Sequence, residues 1–124
     1  MTFDQDWCDQ LHSAAEGASA AGVTLRLLYV VTDTDEGKVA FNMDIEDGAP
    51  TAVTAGKLPR GEKADVTVTI KEAVLRQLWS GDLTRDAAFM AGDIKIEGAY
   101  QRWLDELVPL FSDGAWAAAF SAAS

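Results

Sequence analysis

The stretch Ala87-Ala88-Phe89-Met90-Ala91-Gly92-Asp93-Ile94-Lys95-Ile96-Glu97-Gly98 decides how this chain folds. Leu83, Ala87, Met90 and Ala91 fall at helical spacing, so its first half reads as the end of a short helix. Gly92 supplies the stop, because glycine enters the left-handed conformation that ends helices without a Cβ penalty. Ile94 and Ile96 then alternate with Asp93, Lys95 and Glu97, the period of a strand with one buried face. Gly98 closes that strand, and an amphipathic helix begins at Tyr100. The pattern upstream of this stretch is sheet for the strand to join. The pattern downstream is helix to cover it.

Upstream, Val23, Leu25, Leu27, Tyr29 and Val31 share one face of a long strand. The other face begins polar at Thr24 and Arg26 and turns apolar at Leu28 and Val30, which predicts burial on both sides there. After a turn at 33–37, Val39, Phe41, Met43 and Ile45 point inward on a returning strand, with Lys38, Asn42, Asp44 and Glu46 toward water. Residues 47–50 turn again into a weaker strand over 51–55, and a loop with Pro59 leads to a fourth strand carrying Val66, Val68 and Ile70.

Helices frame these strands. Thr2 or Asp4 can cap a first helix running to about Ala21, with Trp7, Leu11, Ala14, Ala15 and Ala18 as its stripe. Lys71 to Trp79 reads as a helix presenting Val74, Leu75, Leu78 and Trp79, and Thr84 can cap the short helix of the deciding stretch. Tyr100, Trp103, Leu104, Leu107, Val108 and Phe111 form a broad stripe that Pro109 should kink or stop. Asp113-Gly114 breaks it, and Trp116, Ala119, Phe120 and Ala123 repeat in a final helix. The expectation is an α+β fold spanning 1–124 as a single domain. Its five-stranded, mostly antiparallel sheet is covered on one face by about five helices.

A chain of 124 residues, 48% of them hydrophobic, can bury one core. Ten basic and twenty acidic residues leave a net charge of -10, which argues against nucleic acid and against docking on an anionic bilayer. No apolar run approaches the roughly 20 residues of a membrane span, so no stable membrane anchor is expected. The acidic first residues do not read as a secretory signal and the last three are not a peroxisomal address, so a cytoplasmic location is expected.

One cysteine and one histidine can make neither an internal disulfide nor a structural zinc site. Cys8 and His12, four apart on a helix, could meet on one face, but nothing marks the orienting group or oxyanion site that nucleophilic chemistry needs. Lys57, Arg60 and Lys63 form the cationic cluster of the chain. They read either as a site for an anionic headgroup or coenzyme A phosphate, or as a solvated loop balancing nearby acids.

Ala88-Phe89-Met90-x-Gly92-x-x-Lys95-Ile96-x-Gly98 resembles the signature of the sterol carrier protein type-two family, small lipid-binding domains. Ala64 to Ile70 looks like that family's strand before a helix, and Ser80-Gly81-Asp82-Leu83 like its turn between two helices. The likeness is firm from about Ala64 to Phe111 and topological before that. The family commonly has Lys after the glycine, where this chain has Asp93.

Composition alone favours tight packing of the aromatic helices on the sheet. The resemblance implies instead an apolar tunnel between sheet and helices that holds a sterol, fatty acid or fatty acyl-CoA. The lining it implies is Phe41, Met43, Leu78, Trp79, Phe89, Met90, Ile96, Trp103, Leu107, Phe111, Trp116 and Phe120. No catalysis, cofactor or metal is expected. An apolar lipid is the expected partner, a partner enzyme of lipid metabolism could receive it, and a homodimer is compatible. The alternatives are a small α+β isomerase or hydratase on an apolar substrate, which would need a carboxylate of raised pKa in the pocket, or a protein-interaction domain. The final helix, whose large residues are Trp116 and Phe120 among alanines, is either a loosely packed lid or the last piece of the core.

Overall fold

The computed structural model describes residues 3–80, 92, 94–111 and 114–123. Five strands form one sheet: β1 (Leu25–Thr34), β2 (Gly37–Glu46), β3 (Ala49–Ala55), β4 (Val66–Lys71) and β5 (Ile94–Gly98), in the order β3-β2-β1-β4-β5. The β1/β2, β2/β3 and β4/β5 pairs are antiparallel and β1/β4 is parallel, so the sheet is mixed and mostly antiparallel. Because directly paired residues share a face, the registers assemble apolar rows. Val53, Met43, Leu27 and Val66 form one, and Phe41, Tyr29, Val68 and Ile96 the next. Each strand alternation is thereby converted into a continuous inner surface.

Four helical segments among the described residues cover that surface: α1 (Gln5–Ala15), α2 (Glu72–Ser80), α3 over 100–111 and α4 (Gly114–Ala123). A fifth, expected after Thr84, lies outside the described residues, as does half of the deciding stretch. Gly92 does adopt a left-handed conformation at φ 79°, and β5 follows it as the alternation requires.

Several local expectations change. Asp4 caps α1, its carboxylate accepting from the Trp7 amide at 2.9 Å, but the helix ends at Ala15 rather than Ala21. Gly17 weakens continuation, and the Ala20 amide donates to the Asp47 carbonyl at 2.7 Å, which draws the chain onto the β2–β3 turn. Pro50 falls inside β3, where an edge strand tolerates its missing amide hydrogen. Asn42 is buried, not facing water; its side chain donates to the Gly56 carbonyl at 3.1 Å.

α3 does not stop at Pro109. Tyr100–Arg102 and Val108–Phe111 are α-helical, with a π-helical turn over Trp103–Leu107 between them in which the Val108 amide reaches back to the Trp103 carbonyl. In a regular helix the Pro109 ring would press on the Asp105 carbonyl. The wider turn immediately before it lets the helix run on to Phe111, so Trp103, Leu107 and Phe111 all point into the core. Arg102, braced by Glu106 of the same helix at 2.6 Å, ties α3 to the start of β1 by donating to the Thr24 carbonyl at 2.8 Å.

The connection from β3 to β4 carries no helix. It leaves one edge of the sheet and re-enters beyond β1, so residues 56–65 pass over the face opposite the helices. Both ends are fastened. The Gly56 amide donates to the Ala40 carbonyl at 2.8 Å, and the Asp65 carboxylate and amide pair with the Arg26 backbone at 2.8 Å each. Leu28 and Val30 are half-buried beneath this loop, which accounts for their apolar character on an otherwise polar face.

Candidate functional site

Sheet and helices enclose a layer built almost wholly of aromatic and aliphatic side chains. Trp79, at the end of α2, stacks on Phe120 of α4 at 4.6 Å and on Trp7 of α1 at 5.6 Å, and stands edge-on to Phe41 of β2 at 6.4 Å. Phe120 meets Phe111 of α3 edge-on at 5.0 Å, and Phe111 in turn lies 5.0 Å from Trp116. Phe41 also stacks on Tyr29 at 4.9 Å and on Phe3 at 5.8 Å. Each described helix therefore contributes a ring to one aromatic chain that rests on β2.

Of the residues expected to line a tunnel, Phe41, Met43, Leu78, Trp79, Trp103, Leu107, Phe111, Trp116 and Phe120 are all buried in this layer. Ile96 is half-buried on the edge strand β5 and packs against the same core. Phe89 and Met90 lie outside the described residues. Phe3, Trp7 and Tyr29 belong to the same aromatic chain, although the resemblance does not place them in the lining. Trp7 carries a signal, since it opens the apolar stripe of the first helix; Tyr29 carries one in the β1 alternation.

The final helix is not loosely packed. Trp116, Ala119 and Phe120 are buried, and the Trp116 indole donates to the Gly48 carbonyl at 2.7 Å. The Trp7 indole reaches the Ala123 carbonyl at 3.2 Å, tying α1 to the end of α4. Alanine spacing here permits close approach.

Among the described residues, one buried polar atom of the layer has no partner. The Trp79 indole N–H is buried and makes no hydrogen bond. Leaving such a donor unsatisfied costs about 1–3 kcal/mol. Cys8, by contrast, is a plain core residue. Burial, reinforced by the charges of Asp9 and Asp4, pushes its thiol up to about 12, so it stays protonated at neutral pH and is no nucleophile.

The cationic loop residues separate. Lys57 and Lys63 border a cavity of about 610 Å³ on the far side of the sheet, whereas Arg60 stands away from it and is exposed.

The family model for the SCP-2 sterol transfer family matches residues 5–103. The chain belongs to that family. The match runs from the first helix into α3, over the sheet and the helices that carry most of the aromatic layer. Solved structures share the fold. The palmitated form of sterol carrier protein 2-like 2 from Aedes aegypti superposes with a TM-score of 0.68 at 16% identity, over 90% of this chain and 96% of that one. The crystal structure of the same Aedes aegypti protein gives 0.67 at 17%, over 85% and 93%. A conserved hypothetical protein of Thermus thermophilus, described as a candidate sterol carrier, gives 0.66 at 17%, over 100% and 90%. No curated protein sequence matches the chain.

Proposed function

We propose that the chain is a non-catalytic lipid carrier. Its ligand is an apolar lipid with an oxygen-bearing head, held between the sheet and the helices. The observation that carries this reading is the unpartnered Trp79 indole in the midst of an aromatic layer. A sterol hydroxyl, or the head of a fatty acid or alcohol, accepts that hydrogen bond while the hydrocarbon replaces ring contacts. Membership of a sterol transfer family and the palmitated state of a structural neighbour support the same ligand class.

Trp79 is stacked between Trp7 and Phe120, so a lipid entering at the indole must part these rings. Each aromatic pair contributes about 0.5–1.5 kcal/mol beyond its area, and separating the stacks around Trp79 costs a few such terms. Burying hydrocarbon returns about 0.8 kcal/mol per methylene, so a chain of ten contributes roughly 8 kcal/mol. A long chain outweighs the opening cost and a short one does not. Selectivity is then for length rather than detailed shape, which suits a carrier.

Acid–base catalysis on an apolar substrate would need a carboxylate inside this layer. Among the described residues no carboxylate is buried. The experiment is native mass spectrometry of freshly purified protein, with and without added hexadecanol, followed by solvent extraction. A one-to-one lipid adduct is expected. Protein that neither retains a lipid nor takes up the alcohol contradicts the reading.

A further inference from the structure

We propose a second ligand site on the opposite face of the sheet, built for a single-chain amphiphile with a carboxylate head. The cavity of about 610 Å³ beneath the 56–65 loop is the observation behind it, a size within the roughly 300–1,000 Å³ usual for small-ligand sites. Its floor is largely apolar, made by Leu28 and Val30 of β1, Ala40 of β2 and Leu58 of the loop, with Thr67 of β4 beside Leu28. Leu28 and Val30 are the positions at which the outer face of β1 departs from polar alternation. A long loop fastened at both ends spans them and still leaves room beneath it.

Charge selects the occupant. Lys38, Lys57 and Lys63 border the cavity, and among the described residues none of the three is in an ion pair. The two acids that also border it are engaged elsewhere: Glu62 with Arg26 at 3.3 Å, and Glu97 with Lys95 at 3.2 Å. In a chain of net charge -10, three ammonium groups around an apolar floor form a local reversal of sign. An acyl chain covers the floor and its carboxylate meets the lysines. A neutral lipid of the same length satisfies half of the site. A small inorganic anion satisfies the other half and gains nothing from the floor. The site does not depend on the lipid layer across the sheet, and its occupant differs in needing a negative head.

The test is a methyl and amide NMR titration of the full chain with dodecanoate, repeated with neutral dodecanol. Saturable shifts at Leu28, Val30, Ala40 and Leu58 are expected for dodecanoate. In a variant combining Lys38→Ala, Lys57→Ala and Lys63→Ala, its affinity at these signals should fall at least tenfold, while dodecanol binding changes less than twofold. The variant alters exposed side chains, and an unchanged amide spectrum verifies its fold. Shifts confined to the neighbourhood of Trp79 and Phe120 would overturn the outer site while leaving the inner one standing. Absence of saturable shifts, or equal affinity in the triple variant, would overturn it as well.

Discussion

The two faces of one sheet are built from the same strands and end up as opposite environments. On the inner face, side chains of Leu27, Tyr29, Phe41 and Met43 meet four helical segments and are sealed from water. On the outer face, Leu28, Val30 and Ala40 meet a single loop, stay half-buried and border open space. A helix presents a row of side chains every turn and can close a surface. The irregular loop over 56–65, pinned at Ala40 and Arg26, arches across it instead. Closure, not hydrophobicity, separates the two faces: stacked rings on the inside, open space beneath a loop on the outside.

The largest expected effect is on the inner side. Ending the chain after Asp113 removes Trp116 and Phe120, both buried, and each such aromatic is worth about 3–5 kcal/mol. That approaches the whole stability of a typical domain, about 5–15 kcal/mol, so the truncated chain should show no cooperative thermal transition. A folded truncation with faster lipid exchange would make α4 a lid after all.

Next comes the corner where the two faces meet. Gly98 has φ 87°, and a Cβ there would run into the Asp65 carbonyl, the same carbonyl that accepts from the Ala99 amide. Gly98→Ala should therefore cost at least about 2 kcal/mol, from left-handed strain plus displacement of that carbonyl. Chemical denaturation reads it directly. Because Asp65 also pins the outer loop, the variant should blur signals on both faces.

Cys8 gives a pH test of inner closure. Its thiol ionises at about 12 in the native protein against an ordinary 9.0, so between these values the unfolded chain holds fewer protons. Stability must then fall as pH rises from about 9 to about 12, and this group adds no slope below about 9. Cys8→Ala should flatten that part of the profile in denaturation measured across the range. An unchanged slope would mean the thiol is reachable by water.

The smallest effect is the most specific. Trp79→Phe keeps the ring stack and removes the unpaired donor, so the unliganded protein should hold its stability or gain slightly. Lipid affinity should drop about tenfold, or roughly 1.4 kcal/mol, as read by titration with hexadecanol. Equal affinity would mean that no ligand oxygen uses the indole.

The strands and their inward faces were legible because period-two alternation is a local property. Val66, Val68 and Ile94 are buried as the alternation requires. The parallel β1/β4 pairing was not legible, since nothing in a strand's own residues states which neighbour it will meet. Asn42 read as solvent-facing because its partner, the Gly56 carbonyl, is supplied by a loop 14 residues away. Ala21 read as a helix end because alanine favours continuation, and the competing bond from Ala20 to Asp47 is tertiary. The signature around Gly92 and Gly98 pointed to the family. The aromatic spacing pointed to most of the candidate layer, but not to whether its rings would leave space. The outer cavity was half legible: Leu28 and Val30 announced a covered patch, and the lysines announced charge. Only the crossing of the sheet by the loop joined them.

Under the proposed function, lipid binds within the aromatic layer with Trp79 as its polar anchor. The most direct test is the indole N–H region of an NMR titration with hexadecanol, where each of the four tryptophans gives its own signal. The Trp79 indole proton should move downfield and exchange more slowly with water as the alcohol saturates, while the Trp116 indole, already donating to Gly48, shifts little. Saturation by hexadecanol with the Trp79 signal unmoved would contradict the account.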